Sequence, residues 1–393
     1  MIDWSGAYEP KLKVSIVTPS MKSGGAERHI RTLIRHAHRV QYTAVYCPDE
    51  LDHVEGVPAF LWRGNDTMLM KECDLIFYWG FEGLDLRKHG KPVVQCAHHS
   101  GSAPPELINP IKDTKANFLT AVCTDSVEAF PEHLRRLTRV AVIHNGSDVE
   151  RVSPRDGREA QRKRLSIPDD APVILYVGRF YQGKGADVAV EAMRYLPDHT
   201  LILLGWGEQA DELREAAKHA KGRVIRLQPQ TEALGDIYAA ADCLVLPSET
   251  EAFPLVLIEA WQAGVPVISP RYPSVAEMED RAGTRLISEL PCCDPAILAS
   301  KILHIQPTRR TEKAKEFARD YLTASRMAGR WESFFAYAQL EWLRAGRHGK
   351  YYEWSKRDEG EIPTGPDREN LDLPDRPSNP YGGTGGSGNP YRR

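Results

Sequence analysis

The chain has 393 residues, 41% apolar and 27% charged, with 51 Lys plus Arg against 54 Asp plus Glu for a formal charge of −3. That length accommodates two ordinary domains with sizeable cores, and the near balance of charge excludes a protein that coats nucleic acid through overall basicity. Seven cysteines, odd in number and without C-x-x-C spacing, exclude a disulfide scaffold and fit reduced thiols.

Short Val-, Ile- and Leu-rich runs alternate with amphipathic segments along the chain, the pattern of a parallel α/β architecture. "KVSIVTP" (13–19) reads as the first strand, and "GGAERHIRTLIRHAH" (24–38) as a helix whose Ile30, Leu33, Ile34 and Ala37 share one face. "QYTAVYC", "CDLIFYWG", "KPVVQCA", "NFLTAVC" and "RVAVIHNG" supply further strands and carry a first domain over 1–147. Residues 148–171, polar and basic in the middle, read as a solvated linker, with a membrane-surface or acceptor patch as the other reading. A second series, "PVILYVG", "HTLILLG", "RVIRLQ", "DCLVLPS" and "VPVIS", defines a domain over 172–324. A helix follows within 325–349, with Met327, Trp331, Phe334, Phe335, Ala338 and Trp342 as a packing stripe. The remainder, 350–393, is rich in Pro, Gly and Asp and reads as disordered. The expected fold is two doubly wound domains joined by a linker.

In open parallel sheets ligands bind beyond the carboxyl ends of the strands, so the informative motifs are those that follow strands directly. "ILYVGRFYQGKGAD" (174–187) nearly spells a phosphate-binding loop, since Gly178, Gly183 and Lys184 satisfy G-x-x-x-x-G-K. Gly185, however, stands where that motif places the hydroxyl that holds magnesium, which makes a P-loop ATPase the poorest reading. Arg179 and Lys184 offer two cations for a phosphate group; a basic turn without a ligand is the alternative for the motif alone. "GWGEQA" (205–210) is a loose G-x-G-x-x-A that follows the second strand of its domain, and no acidic residue ends the next strand, which weakens a dinucleotide reading. In "VLPSETEAFPLVLIEAWQAGVPVIS" (245–269), Glu251 lies in a loop after a strand and Pro254 suits a first helical turn. Glu259 is the single charge in an apolar helix and leans back toward its N-terminus. Two carboxylates there can accept hydrogen bonds from sugar hydroxyls while helix N–H groups hold phosphate, although a pair of surface charges is the plainer alternative.

Glu251 and Glu259 form an E-x7-E pair that resembles the motif of retaining glycosyltransferases of the GT-B fold, specifically glycosyltransferase family 4 (group 1). The resemblance runs over about 13–345: "GGAERH" is similar to the family's glycine-rich first loop, "PVVQCAHHS" to the strand ending in its active-site histidine, "VIHNGSD" to the segment entering the linker, and "VGRFYQGKG" to its G-R-x-x-x-x-K-G loop. It implies two Rossmann-like domains facing across a cleft, with a nucleoside diphosphate sugar as donor, and the last helix crossing back onto the first domain. Arg179 and Lys184 then hold the donor diphosphate, Glu251 the donor sugar and Glu259 the ribose. His98 lines the sugar, with His99 as competitor for that place. Gly24 and Gly25 let the first loop approach, and Gly178, Gly205, Leu227, Gln228, Ala252, Phe253 and Leu255 complete the donor-binding set. The implied catalytic group is His98, Arg179, Lys184 and Glu251.

The family pattern implies no cofactor. No Asp-x-Asp pair and no metal-spaced His/Cys/Asp cluster occurs, so transfer is expected to need no metal. Departures from the family are Pro254 in place of Gly, Trp206 in place of a small or acidic residue, and "RLQPQ" without glycine after its strand. No run of about 18 apolar residues and no signal-peptide core are present, so the expected location is the cytoplasm, with peripheral membrane contact left open. The partners expected are a nucleotide-sugar donor and an acceptor, glycan, lipid, protein or small molecule, that the sequence does not identify; nucleic acid is not among them. Rival readings are a sugar-nucleotide epimerase of similar fold and a non-catalytic nucleotide-sugar or carbohydrate-binding protein.

Overall fold

The computed structural model describes residues 11–19, 21, 25–47, 54–61, 72–80, 86–102, 111, 116–229 and 234–346. Gly24 and the tail read as disordered, 350–393, lie outside the described residues. In the first half the apolar runs form β1 (Leu12–Val17), β2 (Val40–Cys47), β3 (Ala59–Leu61), β4 (Leu75–Tyr78), β5 (Val93–Ala97), β6 (Phe118–Ala121) and β7 (Val140–Val142). These strands pair in parallel in the order β3-β2-β1-β4-β5-β6-β7. The second half contributes β8 (Val173–Arg179), β9 (Thr200–Trp206), β10 (Arg223–Leu227), β11 (Cys243–Val245), β12 (Val267–Ser269) and β13 (Ser288–Glu289), parallel in the order β10-β9-β8-β11-β12-β13. Strands covered by helices on both faces need apolar side chains on both, which is why β4, β5 and β6 are buried along their length.

Each order reverses once, between β1 and β4 and again between β8 and β11. At such a switch point neighbouring crossover connections diverge and leave a crevice at the carboxyl ends of the strands. The 178–187 loop leaves β8 and the 246–254 loop leaves β11, so both motif loops flank the second switch point.

The long helix spans Ala324–Arg344 and is capped by the Thr323 hydroxyl, which accepts from the Arg326 N–H. Trp331 is fully buried, with its ring 4.7 Å from Phe77 and 5.9 Å from His29, so the aromatic stripe packs on the first sheet. Glu332 Oε1 accepts the backbone N–H groups of His38, Arg39 and Val40 at 2.6, 2.7 and 3.1 Å, fixing the helix at the start of β2. The chain reaches this helix beside Ser147, which bridges Thr323 in parallel; a Cβ on Gly146 would lie 2.3 Å from the Thr323 carbonyl oxygen. No described helix is long and apolar enough to cross a membrane.

The basic segment 148–171 differs from the solvated linker expected of it. Residues Gly157–Arg164 form a helix against the Leu234–Ala240 helix, and Arg162 is buried. Its guanidinium donates to the carbonyls of Ala240, Asp169 and Ala171 and pairs with Asp242 at 2.9 Å. Five N–H donors in a fixed fork allow an arginine to be buried where carbonyls converge, so the charge there closes the start of the second half.

Candidate active site

The 178–187 loop is shaped by close approach. Gly185 has φ +75°, and a Cβ there would lie 2.1 Å from the Pro247 carbonyl oxygen, so this position requires glycine. Gly178 and Gly205 face each other across β8 and β9, where a Cβ on Gly205 would meet the Gly178 carbonyl oxygen at 1.9 Å; strand packing accounts for that glycine pair. The Tyr176 hydroxyl, buried in the core below, donates to the carbonyls of Arg179 at 3.1 Å and Lys184 at 3.0 Å and so pins both ends of the loop. Lys184 Nζ then reaches Glu251 Oε1 at 2.8 Å. Arg179 is exposed beside the Tyr181 ring, 5.2 Å from its centroid.

Glu251, Ala252 and Phe253 precede the Leu255–Ala263 helix, with Pro254 at the N-cap itself, one position ahead of the first turn expected for it, and no side chain capping the helix. Its first N–H groups therefore point at the switch point without a capping acceptor, a setting that favours anions. Glu259 lies one turn into this helix and is fully buried. Oε1 pairs with Arg28 Nη1 at 2.8 Å and stands 3.5 Å from Arg151 Nε, while Oε2 accepts from the Tyr238 hydroxyl at 3.1 Å. Burial, then the charge of Glu259, pushes the Tyr238 hydroxyl well above its ordinary pKa, so it remains a donor.

From the first half, His98 follows β5 and stacks on Trp79 at 4.7 Å, with His99 tilted against it at 4.6 Å. Burial, and then the neighbouring His99, holds His98 well below the usual imidazole value; burial, and then the charge of Lys184, lowers His99 to about 4. Both rings are neutral near pH 7. His99, just after β5, thus lies within electrostatic reach of Lys184 in the 178–187 loop. The halves are tied further: Asn145 Nδ2 donates to the Phe253 carbonyl at 3.1 Å, Cys123 Sγ to the Ala252 carbonyl at 3.4 Å, and Glu277 accepts from the Thr124 N–H at 2.8 Å and pairs with His144 at 2.7 Å.

Of the residues singled out in the sequence, Arg179, Lys184, Glu251 and Glu259 come together around the β8–β11 switch point. Gly25 opens the Gly25–Arg35 helix that carries Arg28, and Leu255 opens the helix that carries Glu259. Leu227 ends β10, two strands from β8, and Gln228 beyond it is exposed; no recorded contact joins either to the carboxylates. Sequence reasoning missed Arg28, Arg151, Tyr238 and Asn145. Arg28 sits inside "GGAERH", but nothing local to that segment shows that it meets a carboxylate 231 positions away. Among the described residues no group of three or more His, Cys, Asp or Glu is placed to hold a metal ion. A cavity of about 210 Å³ is lined by Trp261, Val265, Val267 and Arg310 at the opposite, amino-terminal end of β12 and contains none of these site residues.

Residues 157–319 match the family model of Glycosyl transferases group 1. A D-inositol 3-phosphate glycosyltransferase from Streptomyces bingchenggensis is 37% identical over 146 residues, 33% of this chain and 32% of that protein. The lipopolysaccharide core biosynthesis glycosyltransferase LpsE of Rhizobium meliloti is 37% identical over 134 residues, 34% of this chain and 38% of the relative. The matched segment thus spans about a third of the length of these curated relatives. Solved structures share the architecture over far more of the chain. Anabaena HepE in complex with UDP-glucose superposes with a TM-score of 0.67 at 18% identity, covering 83% of this chain and all of that one. WaaG, a glycosyltransferase involved in lipopolysaccharide biosynthesis, gives 0.63 at 18% identity over 82% of this chain and 99% of its own. Residues 157–319 thus match the Glycosyl transferases group 1 model, and the chain shares the two-sheet GT-B fold of solved glycosyltransferases.

Proposed function

We propose that this protein is a retaining glycosyltransferase that moves a sugar from a nucleoside diphosphate sugar to an acceptor hydroxyl without a metal ion. The observation that carries the reading is the pairing of each carboxylate with a cation beside the uncapped helix N-terminus. Lys184 and Glu251 are 2.8 Å apart, so a phosphate drawn to Lys184 has its attached sugar beside Glu251. Glu259, one turn deeper, takes the ribose at the other end of the diphosphate. In the transfer the bond between the anomeric carbon and the phosphate oxygen breaks, and negative charge grows on the departing diphosphate. Arg179, Lys184 and the helix N–H groups stabilise that charge most when it is largest, which lowers the barrier. The acceptor oxygen bonds to the anomeric carbon on the face the phosphate leaves, and the acceptor proton passes to the leaving phosphate oxygen. His98 and His99, held neutral, hydrogen-bond to the sugar without adding charge.

The names of the relatives make inositol phosphates and lipopolysaccharide core saccharides the first acceptors to try. The test is a panel of UDP-, GDP- and ADP-sugars scored for nucleotide release, comparing wild type with Glu259→Ala. Release from one donor that the substitution abolishes supports the reading. A folded wild-type protein that neither binds nor cleaves any of them overturns it, and isomerised donor without acceptor would favour an epimerase.

A further inference from the structure

The cations at the site do not all come from the half of the chain that matches the family model. Arg28 lies near the start of the helix that follows β1, at the switch point of the first sheet, and its Nη1 reaches Glu259 across the interface between the halves. Glu259 does not depend on this contact for charge compensation. Arg151, with only 20% of its side chain exposed, also stands beside Oε1, whereas Arg28 is the more exposed of the two at 33%. The Arg28 guanidinium has five N–H donors, and one is engaged among the described residues.

Around the switch point Arg28 and Arg151 stand beside Glu259 and Lys184 beside Glu251, while the Glu249 carboxylate lies against the same loop at Gly183. In a nucleoside diphosphate the phosphate nearest the ribose is joined to it through a single methylene. A cation that already touches the ribose-binding carboxylate is therefore within reach of that phosphate, and a guanidinium fork can serve both partners at once.

We propose that Arg28 is a donor-binding residue whose guanidinium bridges Glu259 and the ribose-proximal phosphate, so that the first half supplies one of the diphosphate's cations. This rests on the donor-site reading above. It makes donor affinity depend on how the halves are set, because no rotation within the second half alone can bring Arg28 to the phosphate.

The test is calorimetric binding of UDP, GDP and ADP, and of the parent nucleosides by competition, to wild type, Arg28→Ala and Arg28→Lys. The expected result is nucleoside diphosphate affinity weakened about tenfold or more in Arg28→Ala, the loss of one charge-assisted hydrogen bond, partial recovery in Arg28→Lys, and nucleoside affinity changed less than about twofold. Arg28→Gln replaces the alanine variant if that does not fold. Equal losses for nucleoside and diphosphate would assign Arg28 to holding Glu259 alone and overturn the proposal. So would unchanged affinity, or tighter binding, which would make the Arg28–Glu259 pair a competitor of the donor. Failure of folded wild type to bind any nucleoside diphosphate would instead remove the donor-site reading itself.

Discussion

In the proposed transfer Lys184 is the residue on which the chemistry turns most directly, because its ammonium is held at 2.8 Å from Glu251 by a loop that glycines and Tyr176 keep in one shape. Lys184→Ala should lower nucleotide release by about 10²-fold or more with little change in thermal midpoint, as expected when a stabiliser of developing charge is removed. A steady-state release assay beside a melting curve separates this from misfolding; activity within a fewfold of wild type would sink the assignment. Three histidines near the interface, His29 buried and His98 and His99 half-buried, carry a different prediction. Burial first, against a weaker opposing hydrogen bond from Asn145, lowers His29 to about 3 from its ordinary 6.5, and His98 and His99 are lowered for the reasons given above. The unfolded chain binds these protons more readily than the folded one, so stability is full above about pH 6.5 and falls as pH drops below it. The slope is about 1.4 kcal/mol per pH unit for each histidine until its folded pKa is reached. Urea unfolding at pH 7, 6 and 5 should show that decline, and a flat profile over this range would contradict the burial of these rings.

At the scale of elements, the strands were the most legible part of the sequence, because parallel strands buried on both faces must be apolar runs. β3 and β13 were not read, being three and two residues at sheet edges with too little pattern to separate from loop. The Gly157–Arg164 helix was misread as linker because its stability comes from Arg162 meeting carbonyls of other segments, which no local periodicity reveals. The Ala324–Arg344 helix was legible through its aromatic stripe, but its anchoring by Glu332 was not. Glu332→Gln should destabilise the protein by about 1–3 kcal/mol, since an amide oxygen replaces a carboxylate that serves three backbone N–H groups, that of Val40 buried. Denaturant midpoints at constant m-value measure this, and a shift near zero would show that those N–H groups find other partners.

For the whole molecule, the motifs after β8 and β11 pointed to the second switch point as the candidate site, since strand ends at a switch point are where such sheets bind ligands. What the sequence could not show is which side chains of the first half arrive there. Arg28, Cys123, His144 and Asn145 meet the second half only through the relative placement of two sheets, a long-range outcome of packing. The contact of Glu277 with Thr124 and His144 is part of that placement. Burial works against its charged form, but the hydrogen bonds from His144 and Thr124 prevail and hold its pKa below the usual glutamate range. Glu277→Ala should therefore loosen the joint, costing about 1–3 kcal/mol and raising protease sensitivity of the 143–149 segment. Unchanged proteolysis and unchanged stability together would show that the joint does not rely on this carboxylate.

The measurement that tests the central claim most directly is hydrogen exchange of the full chain with and without a saturating nucleoside diphosphate. A donor site at the β8–β11 switch point predicts slowed exchange in the backbone of 178–187 and of 251–260, with both segments unaffected in Lys184→Ala at the same ligand concentration. Protection confined to other segments, such as the amino-terminal end of β12, or none at all with ligand bound, would place the nucleotide elsewhere and contradict the account.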